Sequence, residues 1–157
     1  MGGKNMKKPY FPLFIDISEK KIIVIGGGKI ATRRINTLVE FADNITVAAP
    51  WASERIIELS QRKQVHWISE VYHKKIIEGA DFVLAATDNA ECNNHIVADC
   101  RALKIPVNTA HKKELCDFYF PGILRLDDLV AGFCSGGENH RRVKEAREKV
   151  EQILQEN

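Results

Sequence analysis

The chain has 157 residues, 45% of them hydrophobic, and a formal net charge of +2. This length suits one globular domain, and so balanced a charge gives no reason to expect a nucleic-acid partner. No apolar run approaches the roughly 20 residues of a bilayer-spanning helix, and none follows the charged N-terminus, so we expect neither a membrane protein nor a secreted one. The four cysteines form no C-x-x-C pair, which favours reduced thiols and a cytoplasmic location.

Short apolar runs alternate with amphipathic stretches through most of the chain. Buried strands are predicted at 21–25, 45–49, 65–68, 82–86 and 105–108. Helices are predicted between them, at 28–42, at 53–64 and over a stretch whose apolar stripe is Cys92, Ile96, Val97, Cys100 and Leu103. Strict alternation of strand and helix is typical of a parallel sheet with right-handed crossovers. The sequence therefore predicts an α/β fold with a Rossmann-type parallel sheet.

The pattern changes towards the C-terminal end. Two strands are predicted at 118–126 and 129–133, and their short connection indicates an antiparallel hairpin. A final helix is indicated by a narrow apolar stripe of Val143, Ala146, Val150 and Ile153. We therefore divide the chain into a disordered lead-in (1–8), a Rossmann domain (9–115) and a segment of hairpin plus helix (116–157).

A glycine-rich loop follows the first predicted strand. Residues 26–31 read Gly-Gly-Gly-Lys-Ile-Ala and fit the pattern G-x-G-x-x-A. This spacing lets the backbone amides of a tight turn approach a pyrophosphate at the N-terminus of the next helix. Because a strand precedes the loop and an amphipathic helix follows it, we interpret it as a dinucleotide site rather than a simple turn.

The acidic residue that usually holds the ribose of NAD is missing. The second strand ends in Ala48-Ala49-Pro50-Trp51, without an Asp or Glu for the 2′-hydroxyl. Either backbone groups near Pro50 and Trp51 replace it, or Arg55 meets the 2′-phosphate of NADP. These residues alone leave the choice between NAD and NADP open.

Longer strings resemble one family. The segments PLFIDISEKKIIVIGGGKIATRR, ITVAAP, FVLAATDNAECN, IPVN and FYFPGIL…CSGG are similar to the precorrin-2 dehydrogenases of sirohaem synthesis. The resemblance implies an enzyme that oxidises precorrin-2 to sirohydrochlorin with NAD as cofactor, and that forms a homodimer through 116–157. Some members of the family also insert Fe²⁺. The implied dinucleotide contacts are Gly26, Gly28, Lys29, Ile30, Pro50, Trp51, Thr87 and Asp88.

The resemblance also indicates where the tetrapyrrole substrate would bind. Asn108 and Ser135 lie in the matching motifs, and guanidinium groups such as those of Arg141 and Arg142 suit the carboxylates of the substrate. Where the family favours an Asp as catalytic acid/base, this chain has His111. A neutral imidazole accepts a proton near neutral pH, so His111 is the predicted catalytic base. No spacing of Cys and His predicts a metal site.

Two functions remain open at this point. The first, which is the leading hypothesis, is the NAD-dependent dehydrogenase itself, with His111 in place of the usual Asp. The second is a catalytically weak or inactive dinucleotide-binding homologue that acts as a scaffold or regulator of tetrapyrrole synthesis. The change from Asp to His111 and the absence of the family's Ser-Pro after the CSGG segment favour the second.

Overall fold

The computed structural model describes residues 9–136 and 138–156, so the lead-in predicted at 1–8 lies outside the described residues. The described chain forms two compact units. The larger unit is residues 16–118, and the smaller combines 9–15 with the described residues after 118. The domain roles predicted on either side of residue 115 stay predictions.

The larger unit is built on a parallel sheet with strand order β3-β2-β1-β4-β5. Its strands are β1 (Ile22–Ile25), β2 (Ile45–Ala48), β3 (His66–Ile68), β4 (Phe82–Ala85) and β5 (Val107–Thr109). The helices that connect them are α1 (Lys29–Leu38), α2 (Glu54–Gln61) and α3 (Ala90–Ala102). The predicted Rossmann-type fold is confirmed. The strand order reverses between β1 and β4, which is where such sheets bind ligands.

The core explains why these segments are strands and helices. All four residues of β1 are at most 2% exposed, as expected for a strand that is covered on both faces. Helix α1 buries Ile35, and α3 buries Ile96 and Cys100. Each helix thus places an apolar stripe in the core and leaves a polar face outside.

Several predicted elements are longer than the observed ones. Helix α1 ends at Leu38 rather than at residue 42, and β5 begins at Val107 rather than at residue 105. The backbone N–H of Ile105 instead donates to Cys100 at the end of α3, and Pro106 has no N–H for a sheet ladder. Leu103, predicted as part of the buried stripe of this helix, lies beyond its last turn and is 36% exposed. Cys92 is only partly buried.

Single turns of 3₁₀-helix were not predicted. They occupy Lys74–Ile77, between β3 and β4, and Lys113–Leu115, after β5. Such short elements contain too few residues to show a hydrophobic period.

The smaller unit contains the predicted hairpin and helix. Strands β6 (Gly122–Leu126) and β7 (Leu129–Phe133) pair antiparallel, and Asp127 in the turn adopts a positive φ of 51°. Strand β6 begins later than the predicted residue 118 because Pro121 immediately precedes it. Helix α4 (His140–Gln155) packs on β6. Within the described residues, none of the helices is long and apolar enough to cross a membrane.

Candidate functional site

The glycine loop after β1 is packed against the loops after β2 and β4. Gly26 has a φ of +123°, and a Cβ there would overlap the carbonyl of Ala86. A Cβ on Gly27 would overlap the carbonyl of Trp51. Both positions therefore need glycine, because any side chain there would keep the loop after β1 from packing against the loops after β2 and β4. The motif pointed to Gly26, but it left Gly27 as an arbitrary residue.

Gly28 differs from these two glycines. A Cβ there would meet only the ring of Trp51, at an ordinary contact distance of 3.6 Å. Gly28 is also the N-cap of α1 and supplies no side-chain acceptor, whereas α2, α3 and α4 are capped by Ser53, Asn89 and Asn139. Packing therefore does not explain this glycine, and its lack of a side chain leaves the backbone open to a ligand.

The first turn of α1 therefore presents backbone N–H groups without a side-chain cap. Lys29 and Ile30 in this turn are exposed, and the turn carries no acidic residue. A positive helix end with a neighbouring ammonium group suits a pyrophosphate. The donor set thus fits the phosphates of a dinucleotide.

Polar groups rather than a carboxylate surround the end of β2. The carbonyl of Pro50 accepts from Ser69 Oγ at 3.0 Å, and the side chain of Trp51 is 61% exposed. Arg55, the predicted alternative for a 2′-phosphate, donates to Asn36 Oδ1 at 3.0 Å and to Glu58 at 2.7 Å. The hydrogen bond from Arg55 lowers the pKa of Glu58. The guanidinium of Arg55 is thus engaged within the chain.

The loop after β4 is organised by a buried asparagine. Asn93 is 0% exposed and forms hydrogen bonds with the backbone N–H and C=O of Thr87, at 3.1 and 3.0 Å. The hydroxyl of Thr87 also lies 2.8 Å from Asn93 Oδ1, whereas Asp88 is exposed. Sequence reasoning named Thr87 and Asp88 but missed Asn93, because its partner is fixed only in the folded loop.

A cleft of about 510 Å³ adjoins this loop. Its lining residues are Tyr72, His73, Lys74, Asn89, Glu91, Cys92 and His95. The hydroxyl of Tyr72 donates to Asp99 Oδ2 at 2.9 Å, and burial raises the pKa of Tyr72. Sequence reasoning gave no sign of this cleft, because the residues that line it come from one segment before β4 and another after β4 in the chain.

His111, the predicted base, follows β5. Its ring is exposed and lies 2.7 Å from Thr109 Oγ1 through Nδ1 and 3.1 Å from Asn94 Oδ1 through Nε2. The carboxyl ends of parallel strands lie at one edge of the sheet. His111, which comes after β5, and the glycine loop, which comes after β1, are therefore at the same edge. Both ring nitrogens of His111 thus have polar partners at this edge.

Asn108, predicted to contact substrate, is 3% exposed. Its Oδ1 accepts from Arg34 of α1, and its Nδ2 donates to the carbonyl of Phe118 at 2.7 Å. Burial lowers the pKa of Arg34. Both polar atoms of the Asn108 side chain thus have partners in the chain.

The remaining predicted substrate residues belong to the smaller unit. Ser135 Oγ accepts from the backbone N–H of Asn139 at 3.0 Å. Arg141 pairs with Glu145 at 2.7 Å and its side chain is 90% exposed, and Arg142 is exposed beside it. Their roles stay predictions.

A family model described as "Putative NAD(P)-binding" matches residues 13–122. A "Probable multifunctional siroheme biosynthesis protein HemA" from Ruminiclostridium josui is 38% identical over 146 residues, which cover 92% of this chain and 28% of that protein. A siroheme synthase from Psychrobacter sp. is 35% identical over 144 residues, which cover 92% of this chain and 30% of that protein. The chain thus spans less than a third of the length of these relatives.

A solved structure has the same fold. It is described as SirC, a precorrin-2 dehydrogenase, and matches with a TM-score of 0.79 at 22% sequence identity. The match covers 92% of this chain and 70% of that one. With a family model that covers most of its length and a phosphate-suited turn after β1, the chain belongs to the NAD(P)-binding family and is a homologue of siroheme synthases.

Proposed function

We propose that this chain binds NAD and dehydrogenates precorrin-2 to sirohydrochlorin. The observation that carries the proposal is that the uncapped N-terminus of α1 and the imidazole of His111 each follow a strand of the same parallel sheet, β1 and β5, at the edge where these strands end. The names of the siroheme synthases and of the precorrin-2 dehydrogenase support the choice of substrate.

The reaction removes one hydride and one proton from the tetrapyrrole. When bound, NAD supplies an oxidised nicotinamide ring that accepts the hydride. The N–H groups of the first turn of α1 and the ammonium group of Lys29 would hold the pyrophosphate. His111 takes the proton and passes it to water, which completes the balance.

We favour NAD over NADP because of the end of β2. A 2′-phosphate needs a cation there, and the guanidinium of Arg55 is already engaged by Asn36 and Glu58. Backbone groups near Pro50 and Trp51 would then hold the ribose. Calorimetric titration of the protein with each dinucleotide tests this preference, and tighter binding of NADP would contradict it.

We also propose that the protein is a homodimer through its smaller unit and binds the carboxylates of the tetrapyrrole through Arg141 and Arg142. In the smaller unit the apolar side chains of Phe11, Leu13 and Phe14 are 86%, 71% and 74% exposed, which supports a protein contact there. Light scattering on the purified protein checks whether its mass is that of a dimer.

We also propose a cytoplasmic location, which the four free thiols support.

The decisive experiment is an anaerobic absorbance assay with precorrin-2 and NAD. We expect NAD-dependent formation of sirohydrochlorin at catalytic protein concentration, loss of turnover in His111→Ala, and turnover in His111→Asp. Calorimetry in parallel shows whether each variant still binds NAD. Addition of Fe²⁺ to the same assay tests whether the protein also inserts Fe²⁺ into the tetrapyrrole. No turnover by a wild-type protein that binds NAD would overturn the enzyme and favour the non-catalytic homologue.

A further inference from the structure

The imidazole of His111 is held at both nitrogens by residues that differ in burial. Thr109, on the Nδ1 side, is 3% exposed, pairs with β4, and its backbone N–H and C=O both contact the Sγ of Cys116, at 3.2 and 3.3 Å. Asn94, on the Nε2 side, is an exposed residue of α3. The hydroxyl therefore belongs to a buried strand, whereas the amide lies at the protein surface.

The two contacts define where the proton of the imidazole lies. An amide oxygen only accepts, so the oxygen of Asn94 requires a hydrogen on Nε2. A neutral imidazole has one N–H, and its Nδ1 then accepts from the hydroxyl of Thr109. In this arrangement neither nitrogen offers a lone pair to a substrate.

An active base needs the opposite arrangement. If the amide of Asn94 leaves, Nδ1–H can donate to Thr109 Oγ1, because a hydroxyl both donates and accepts. Nε2 then carries the lone pair and faces the space that Asn94 has left. A proton from the substrate joins Nε2, and the imidazolium keeps Thr109 as the acceptor for Nδ1–H.

We propose that Thr109 and Asn94 act on His111 in opposite directions. Thr109 is a positioning residue that orients the ring and accepts from Nδ1–H in the active state, and Asn94 covers Nε2 until the tetrapyrrole displaces it. This inference rests on the proposed function of His111 as base.

Two substitutions separate these effects in the dehydrogenase assay. Thr109→Val keeps the shape of the side chain but removes the hydroxyl, and we expect kcat to fall about tenfold with little change in KM. Thr109→Ser keeps the hydroxyl and should retain turnover. Asn94→Ala removes the cover, and we expect KM for the tetrapyrrole to fall about fivefold without loss of kcat. Arg101→Ala, an exposed change on the same helix, serves as the control.

A spectroscopic measurement tests the same inference without turnover. Long-range ¹H–¹⁵N spectra at alkaline pH show which ring nitrogen carries the hydrogen, and His111→Gln assigns its signals. We expect hydrogen on Nε2 in the wild type and in Arg101→Ala, and a shift towards hydrogen on Nδ1 in Asn94→Ala. An unchanged spectrum in Asn94→Ala would overturn the role of Asn94.

The outcomes distinguish this inference from the proposed function. If the wild type turns over, a Thr109→Val variant with wild-type kcat, or an Asn94→Ala variant with raised KM or lowered kcat, overturns the inference and leaves the enzyme standing. If the wild type does not turn over, the proposed function fails. Spectra of Asn94→Ala and Thr109→Val then decide whether these two residues set the position of the proton, and spectra unchanged from the wild type in both variants would overturn the inference.

Discussion

The guanidinium of Arg34 on α1 donates a hydrogen bond to the side-chain oxygen of Asn108 on β5. Strand β1, after which α1 begins, and strand β5 are not neighbours in the sheet, because β4 lies between them. Asn108 in turn donates to the carbonyl of Phe118. This bond joins the two ends of the segment 108–118, which contains His111. The helix that begins at the glycine loop is thereby tied to the segment of the predicted base.

We predict that Arg34→Met destabilises the fold, because it leaves the buried oxygen of Asn108 without its donor. The expected loss in the free energy of unfolding is about 1–3 kcal/mol, measured by urea denaturation. Arg33→Met, an exposed neighbour on the same helix, is the control and should change it by less than about 0.5 kcal/mol. Equal effects of the two changes would contradict a structural role for the Arg34–Asn108 bond.

The glycine loop should separate folding from cofactor binding. Gly26→Ala combines a positive φ with a backbone overlap, so we expect it to lower the free energy of unfolding by about 2–4 kcal/mol. Gly28→Ala meets no such obstacle and should cost less than about 1 kcal/mol. We expect it instead to weaken NAD binding about tenfold or more, because its methyl group occupies the approach to the phosphates. Thermal melts and calorimetry measure the two effects.

Two asparagines near the end of β4 make a matched pair. Asn93→Ala removes a buried side chain that bonds both backbone groups of Thr87, and we expect it to cost about 2–4 kcal/mol and to weaken NAD binding. Asn89→Ala removes only the cap of α3, for a cost of about 1 kcal/mol. If urea denaturation gives the same loss for both, Asn93 does not organise the loop.

The fold was predictable because its signals are local. A run such as Ile22–Ile25 is apolar without interruption, and the glycines after it mark the turn. The boundaries were less predictable, since they depend on partners rather than on periods. The apolar residues Ile105 and Pro106 made the predicted strand begin at residue 105, yet the hydrogen-bonded ladder of β5 begins at Val107.

The candidate site was predictable only in part. The spacing of the glycine loop indicated Gly26 and Gly28, but no pattern separates a glycine needed for packing from one needed for a ligand. Asn94 and Arg34 acquire their partners through contacts that span 17 and 74 positions of the chain. Long-range pairs of this kind leave no periodicity in a single sequence.

The four thiols should differ in reactivity according to burial. Cys134 is exposed, whereas Cys100 is fully buried, and burial raises the pKa of Cys100 to about 12. A thiolate is the reactive species, and a raised pKa leaves less thiolate at any pH below it. At pH 8 we therefore expect Cys134 to react first with a disulfide reagent and Cys100 last.

Mass spectrometry of protein quenched during the reaction would locate each label. Cys134→Ser should remove the fastest phase and leave the others unchanged. Burial also raises the pKa of Cys116, and raising the pH towards 10 should accelerate its reaction. Cys100 should stay slow at this pH because little of it is thiolate. In urea, all four thiols should react at similar rates. Native labelling of Cys100 before Cys134 would contradict the packing of α3 against the sheet.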